Sequence, residues 1–154
     1  MFAAITGSAP TIVPARYPAR DLLAEMGLRA TKPRLALAEL LFAKGFRHVS
    51  AESLYEELVR SGAPGSISSV YRNLRDLSGA GLLKRVPVYG STAWFDTQMG
   101  PHHHFFAEDE DRLIDVSTDS ITVADIPSPP DGYELVGVDV LLRIRRAEEA
   151  QHAA

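Results

Sequence analysis

Three consecutive histidines followed by two phenylalanines, His102 to Phe106, lie at the centre of the stretch Trp94 to Val116, WFDTQMGPHHHFFAEDEDRLIDV. The paired phenylalanines favour extended structure, and a strand turns successive side chains to opposite faces. His102 and His104 then share one face, and His103 takes the other. Two imidazoles on one face can converge on a single ion at about 2.0–2.1 Å, with further ligands from other segments. A histidine-rich loop without function has the same composition, so the rest of the chain has to decide.

Charge is unevenly divided along the chain. Residues 16–86 carry 12 Lys+Arg against 7 Asp+Glu, and residues 87–154 carry 4 against 13, which together give the net charge of −4. The first half can meet phosphate while the second repels it. A length of 154 residues suits one ordinary domain or two small ones. The absence of cysteine removes any disulfide, thiolate metal site or thiol switch. No apolar run approaches the length of a membrane span. The opening MFAAITGSAPTIVPARYP lacks a basic start before its apolar residues. It is therefore expected to be a flexible tail rather than a signal peptide, with a cytoplasmic location by default.

The basic half has a helical rhythm. Arg20 to Met26 suits a short helix ending at Gly27. Thr31 can cap a second helix with Pro33 in its first turn, Leu37, Leu40 and Leu41 on its buried face, and Gly45 at its end. Ser50 caps a third, carrying Leu54 and Leu58 and closed by Gly62. After the turn-forming SGAPGS, a fourth helix is predicted from about Ser68 to Leu77. Its apolar stripe is Val70, Leu74 and Leu77, with Tyr71, Arg72 and Arg75 on the other side. The run LLKRVPVYGSTAWFD then gives two strands turning at Tyr89-Gly90-Ser91. Helices ending in an exposed basic one, followed by a hairpin, are the order of a winged helix-turn-helix, whose second helix enters the major groove of duplex DNA. Alone, Tyr71, Arg72 and Arg75 would be an ordinary solvated face; grouped charge and the wing turn that preference around. Arg29 is either a surface charge or a contact to phosphate or the minor groove.

Past Trp94 the pattern becomes β-rich. Arg112 to Val116 is expected to pair with HHHFF across the acidic turn Glu108 to Asp111. Ser120 to Ile126 suggests a short helix of one or two turns, and PSPPDG a connector. Tyr133 to Arg146 alternates like a long strand, with Val138, Val140, Leu142 and Ile144 on one face. Some fifty residues with three strands have little core of their own, so a homodimer is expected to complete it, supplying the symmetry a helix-turn-helix reader uses. The final AEEAQHAA is expected to fray, leaving His152 idle.

The segments GLRATKPRLALAELL, HVSAESLYEEL, SISSVYRNLRDLSGAGLLKRV and WFDTQMGPHHHFF, in this order, resemble the ferric uptake regulator family of metal-responsive transcription factors. The resemblance spans about residues 20–146. HHHFF followed by EDEDRLIDV, and the VDVLLRIRR end, are similar to the iron response regulator branch, whose members respond to haem. The implied fold is α+β. An N-terminal winged helix-turn-helix domain at 20–96 follows the tail 1–19; a hinge at 97–101 then leads to a C-terminal α/β dimerisation and metal-sensing domain at 102–147, before a frayed 148–154. Carried over by position, the family's sensory metal site falls on His48, Asp96, His102, His104 and Asp115. Without the match, His48 is better read as a partly exposed histidine near a helix cap. Many members carry a Cys-x-x-Cys pair for structural zinc where this chain has Ala107 and Glu110, so that zinc is not expected. Another family site is replaced by Thr122 and Arg145, which leaves His103 without its usual companions. Haem sensing, with no Cys-Pro motif available, would draw on His102, His103 and His104, with His103 as candidate axial ligand.

The expected function is that of a metal- or haem-responsive transcriptional regulator of iron homeostasis, binding double-stranded operator DNA as a homodimer and not an enzyme. Tyr71 and Arg72 are expected at bases, and Arg75, Arg29 and Lys84 chiefly at phosphates. Nitrogen and oxygen donors suit divalent iron, manganese or zinc. Two rivals use the same histidines. One is a metallohydrolase built on His102, His104 and Asp115, which lacks a recognisable general base. The other is a metal or haem carrier, at odds with the retained Tyr71, Arg72 and wing.

Overall fold

The computed structural model describes residues 18–147, and the chain divides into two compact units between Gly100 and Pro101. The expected tail up to residue 17, and the frayed end with His152, lie outside the described residues.

The first unit holds four helices and a small sheet. Helix α1, Ala19–Glu25, stops where Gly27 takes the left-handed conformation. Helix α2, Lys32–Phe42, starts at Thr31, whose hydroxyl accepts the Arg34 backbone N–H, with proline in its first turn. Strand β1, His48–Ser50, runs straight into α3, Ala51–Arg60, and Ser50 ends the one while capping the other. The cap is reciprocal: Ser50 Oγ accepts from Ser53 N, and Ser53 Oγ accepts from Ser50 N, each at 3.1 Å. Helix α4, Ile67–Gly79, opens with the same device between Ser66 and Ser69. Gly65 sits just before it with φ +156°, and a Cβ there would lie 2.6 Å from Leu58 Cδ2, so only glycine lets the α3–α4 turn close this tightly.

Leu54 and Leu58 of α3, Leu37 and Leu41 of α2, and Leu74 and Leu77 of α4 are fully buried in one core. Each such side chain contributes about 1.5–3 kcal/mol on removal from water. Leu40, expected on the buried face of α2, is only partly buried. Strands β2, Lys84–Val86, and β3, Trp94–Asp96, form the expected hairpin, and β1 adds to β3 on its other side, giving the antiparallel order β1-β3-β2. This first unit is a winged helix-turn-helix.

The second unit is a three-stranded sheet of order β5-β4-β6. Strand β4, His103–Ala107, pairs antiparallel with β5, Arg112–Val116, across the acidic turn, and parallel with β6, Leu141–Ile144. Two expectations are corrected here. The predicted helix at Ser120–Ile126 is a single 3-10 turn at Thr118–Ser120, held by the Ser117 hydroxyl on Asp119 N. The long strand predicted from Tyr133 to Arg146 is strand only over the four residues of β6, which pair with His104 to Ala107 up to the end of β4. Upstream, Tyr133 and Val136 are 75% and 87% exposed.

Candidate metal-ligand clusters and nucleic-acid face

The capping box of α4 fixes where the helix starts, and hence which residues face out. Val70, Leu74 and Leu77 point inward, while Tyr71, Arg72 and Arg75 are exposed. Together with Arg85 and Phe95 of the wing, these three line an open groove of about 780 Å³. Three guanidinium groups and a phenol in one concave surface suit a polyanion. Arg85 was not among the expected contacts; alternation along β2 could have singled it out, because Lys84 and Arg85 necessarily point to opposite faces. The register puts Lys84 across from Asp96, and Arg85 across from Phe95, which lines the groove. Arg29 is exposed, and its carbonyl accepts from Arg34 Nη1 at 3.1 Å. The same Arg34 guanidinium donates to Asn73 Oδ1 at 2.9 Å and to Asp76 Oδ2 at 2.6 Å, both on α4. One side chain thus ties the segment before α2 to the exposed helix.

His48 is half-buried on a strand, not in the cap of α3 as its neighbours suggest. Its register partner is Asp96. Arg47 N donates to Thr97 Oγ1 at 2.8 Å, and Thr97 N donates to Arg47 O at 3.1 Å, extending the β1–β3 pairing past the two residues. His48 Nε2 lies 3.5 Å from Asp96 Oδ2, and the Asp96 carboxylate is 1% exposed. Its other oxygen accepts the Gln98 backbone N–H at 2.8 Å.

In the second unit His102 and His104 stand on one face, with ring centroids 4.5 Å apart. His104 is opposite Asp115 in the β4–β5 register. Asp115 Oδ1 is 3.5 Å from His102 Nε2 and 3.7 Å from His104 Nε2. Donors held 2.1 Å from a tetrahedral ion lie about 3.4 Å from one another, so these separations fit a shared ion. The imidazoles are nearly buried, and the Asp115 side chain is 43% exposed, leaving the group open to solvent on one side. This His/Asp group can hold a divalent metal ion. His103 takes the opposite face, where its Nδ1 accepts the backbone N–H of Val140 at 3.3 Å and docks the start of β6.

Within the first unit, then, the structure brings His48 to Asp96; within the second, it brings His102 and His104 to Asp115. Comparison with known proteins gives the same segments a common origin. The model of the ferric uptake regulator family matches residues 25–140. The chain belongs to the ferric uptake regulator family. It is 38% identical to the ferric uptake regulation protein of Shigella flexneri over 100 residues, covering 64% of this chain and 68% of that one. The ferric uptake regulator of Pseudomonas aeruginosa, solved with manganese, superposes with a TM-score of 0.65 at 27% identity, over 86% of this chain and all of that one. The Vibrio cholerae regulator shares the fold with a TM-score of 0.66 at 24% identity, over 82% of this chain and 98% of that one. Members of this family are metal-responsive transcription regulators. Among the described residues, no helix is long and apolar enough to cross a membrane.

Proposed function

We propose that this protein is a divalent-metal-responsive regulator that binds operator DNA as a homodimer. In this reading His48, Asp96, His102, His104 and Asp115 close on one ion that joins the winged head, residues 20–96, through the hinge 97–101 to the sensing and dimerisation segment, residues 102–147. The observation that carries it is the spacing of the donors: three in the second unit and two in the first, each set at separations an ion would impose. An imidazole and carboxylate set without thiolate suits iron, manganese or zinc. The related Pseudomonas protein was solved with manganese, which makes Mn²⁺ the practical probe. An ion binding one arrangement of head and sensor better than another shifts their equilibrium, which is what a switch requires.

Haem is the weaker effector for these histidines. The candidate axial ligand His103 faces away from His102 and His104 and is engaged by the Val140 backbone. The homodimer is supported by the exposed apolar run through Tyr133 and Val136, too large a surface to leave in water beside so small a core.

At the DNA, Tyr71 and Arg72 read base edges, while Arg29, Arg75 and Lys84 sit on phosphates, joined by Arg85 at the groove. The test is operator affinity, by fluorescence anisotropy on a duplex selected from a random pool, with Mn²⁺ and with chelator. The parent should show a change of about tenfold or more between the two conditions, and His104→Ala with Asp115→Ala should remove it. Equal affinity of the parent in both conditions overturns the sensor reading. Absence of retention on any duplex at low salt overturns the DNA reading and favours a metal carrier.

A further inference from the structure

Tyr71 is 46% exposed on the outer face of α4, yet its hydroxyl is tied down: it donates to the carboxylate of Glu52, nineteen residues earlier, in the first turn of α3. Glu52 is itself held in place. It stands two residues after Ser50, whose reciprocal cap with Ser53 fixes the start of the helix. Besides the phenol, its own backbone N–H and the Ser50 hydroxyl favour the charged carboxylate. Tyr71 lines the groove between α4 and the wing, and Glu52 does not, so the carboxylate acts there through the phenol.

A phenol has one O–H, and this one is engaged by Glu52. Tyr71 therefore presents to the groove an aromatic ring and an oxygen that can only accept. Phosphate oxygens accept hydrogen bonds, as do purine N7, guanine O6 and thymine O4, so the engaged phenol has nothing to donate to any of them. Its remaining partners differ from base to base: the thymine methyl against the ring, and the amino groups of adenine and cytosine toward the oxygen. Charge acts in the same direction. The exposed Glu52 carboxylate, one hydrogen bond from a groove lined by Arg72, Arg75 and Arg85, opposes every duplex alike, and contacts specific to one sequence have to outweigh it.

We propose that Glu52 is a positioning residue for base reading: by holding the Tyr71 hydroxyl it sets the ring at the groove and keeps the phenol's donor from the DNA backbone, so that Tyr71 adds to discrimination and not to general affinity. The proposal rests on the reading of Tyr71 as a base contact. A ring already held in place also loses less freedom on binding than one that swings in solvent.

Fluorescence anisotropy tests this on the full chain, with the selected operator and a set of duplexes each altered at one base pair, in whichever of the Mn²⁺ and chelator conditions binds tighter. Tyr71→Ala first identifies the base pair at which Tyr71 discriminates. At that pair Glu52→Ala should lower discrimination by about fivefold or more, because the released hydroxyl can donate to a phosphate or to any base acceptor. Glu52→Gln, which keeps an acceptor for the phenol and loses the charge, should raise affinity for all duplexes alike and keep the parent's discrimination. In a Tyr71→Phe protein, which has no hydroxyl, adding Glu52→Ala should change discrimination no further. Should Glu52→Ala unfold, Glu52→Asp makes the same comparison, since it shortens the carboxylate's reach and keeps an acid at the start of the helix. A parent that binds no duplex, or a Tyr71→Ala protein that discriminates as the parent does at every pair, overturns the base-contact reading and this proposal with it. A Glu52→Ala protein with the parent's discrimination overturns the role of Glu52 alone, as does an equal loss when Glu52→Ala is added to Tyr71→Phe.

Discussion

Tyr71, on the outer face of α4, donates its phenolic hydrogen to the carboxylate of Glu52 in the first turn of α3. The bond holds the Glu52 carboxyl below its ordinary range and pushes the Tyr71 phenol above its own. For Glu52, with a depressed folded value, the stabilising contribution is present above the unfolded pKa and is lost as pH falls through the folded one. For Tyr71, with a raised value, it is present below the unfolded pKa and is lost as pH rises through the folded one. The link is therefore intact throughout the neutral range.

A difference absorbance titration of the parent against Tyr71→Phe isolates that phenol. It should ionise above the ordinary tyrosine value of about 10, and Glu52→Ala should bring it back down. A Tyr71 phenol titrating at or below the ordinary value in the parent would show that the bond is absent in solution.

Arg34 joins Asn73, Asp76 and the Arg29 carbonyl through three of its nitrogens, with its side chain 14% exposed. Arg34→Ala should destabilise the first unit by about 2 kcal/mol, since hydrogen bonds to charged partners are lost and Asn73 is left buried. Arg34→Lys should recover only part, because an ammonium cannot reproduce the planar fork. Urea unfolding followed by helical circular dichroism measures both; an Arg34→Ala midpoint equal to the parent's would show that the exposed helix is held in place without the clamp.

Arg72 and Arg75 are both exposed on α4, yet different losses are expected. Arg72→Ala should cost about 1–3 kcal/mol of operator affinity and relax specificity at one base position. Arg75→Ala, like Arg85→Ala, should weaken all duplexes alike and lower the slope of log affinity against log salt by about one. Affinities for matched and mismatched duplexes over a salt series separate the two, and an Arg72→Ala protein that binds its operator as tightly as the parent loses that residue from the reading face.

His103→Ala removes the acceptor for Val140 N–H without touching the His102 and His104 face. The variant should lose about 1–2 kcal/mol in the second unit and keep its uptake of Mn²⁺. Hydrogen exchange at Val140 and Leu141 should rise first. Loss of Mn²⁺ uptake with those amides still protected would make His103 a ligand instead.

Much of this molecule was legible in its residues, and the exceptions share a cause. The caps at Thr31 and Ser50, the stripe of Val70, Leu74 and Leu77, and the hairpin after Leu83 all follow from local chemistry, which the sequence displays directly. Pairing between distant segments is not displayed. The residues HVS carry no strand signal beyond three positions, and Ser50 advertises its cap more loudly than its ladder. Alternation from Tyr133 to Arg146 marks residues able to line two faces, but says nothing of whether β4 is long enough to receive them. Among the candidate ligands, His102 and His104 are reachable from their spacing alone, whereas His48 and Asp96 follow only from family likeness, because only the β1–β3 register sets them opposite. That same register divides Lys84 from Arg85, a distinction invisible in a run of two basic residues.

The double role of Ser50 leaves no slack in the chain. One residue separates His48 from the serine that locks α3, and Glu52 lies two positions beyond it, holding the phenol of Tyr71. If His48 takes up an ion as proposed, any shift of β1 passes through Ser50 and Glu52 to the phenol of Tyr71 at the groove, along a path only five residues long.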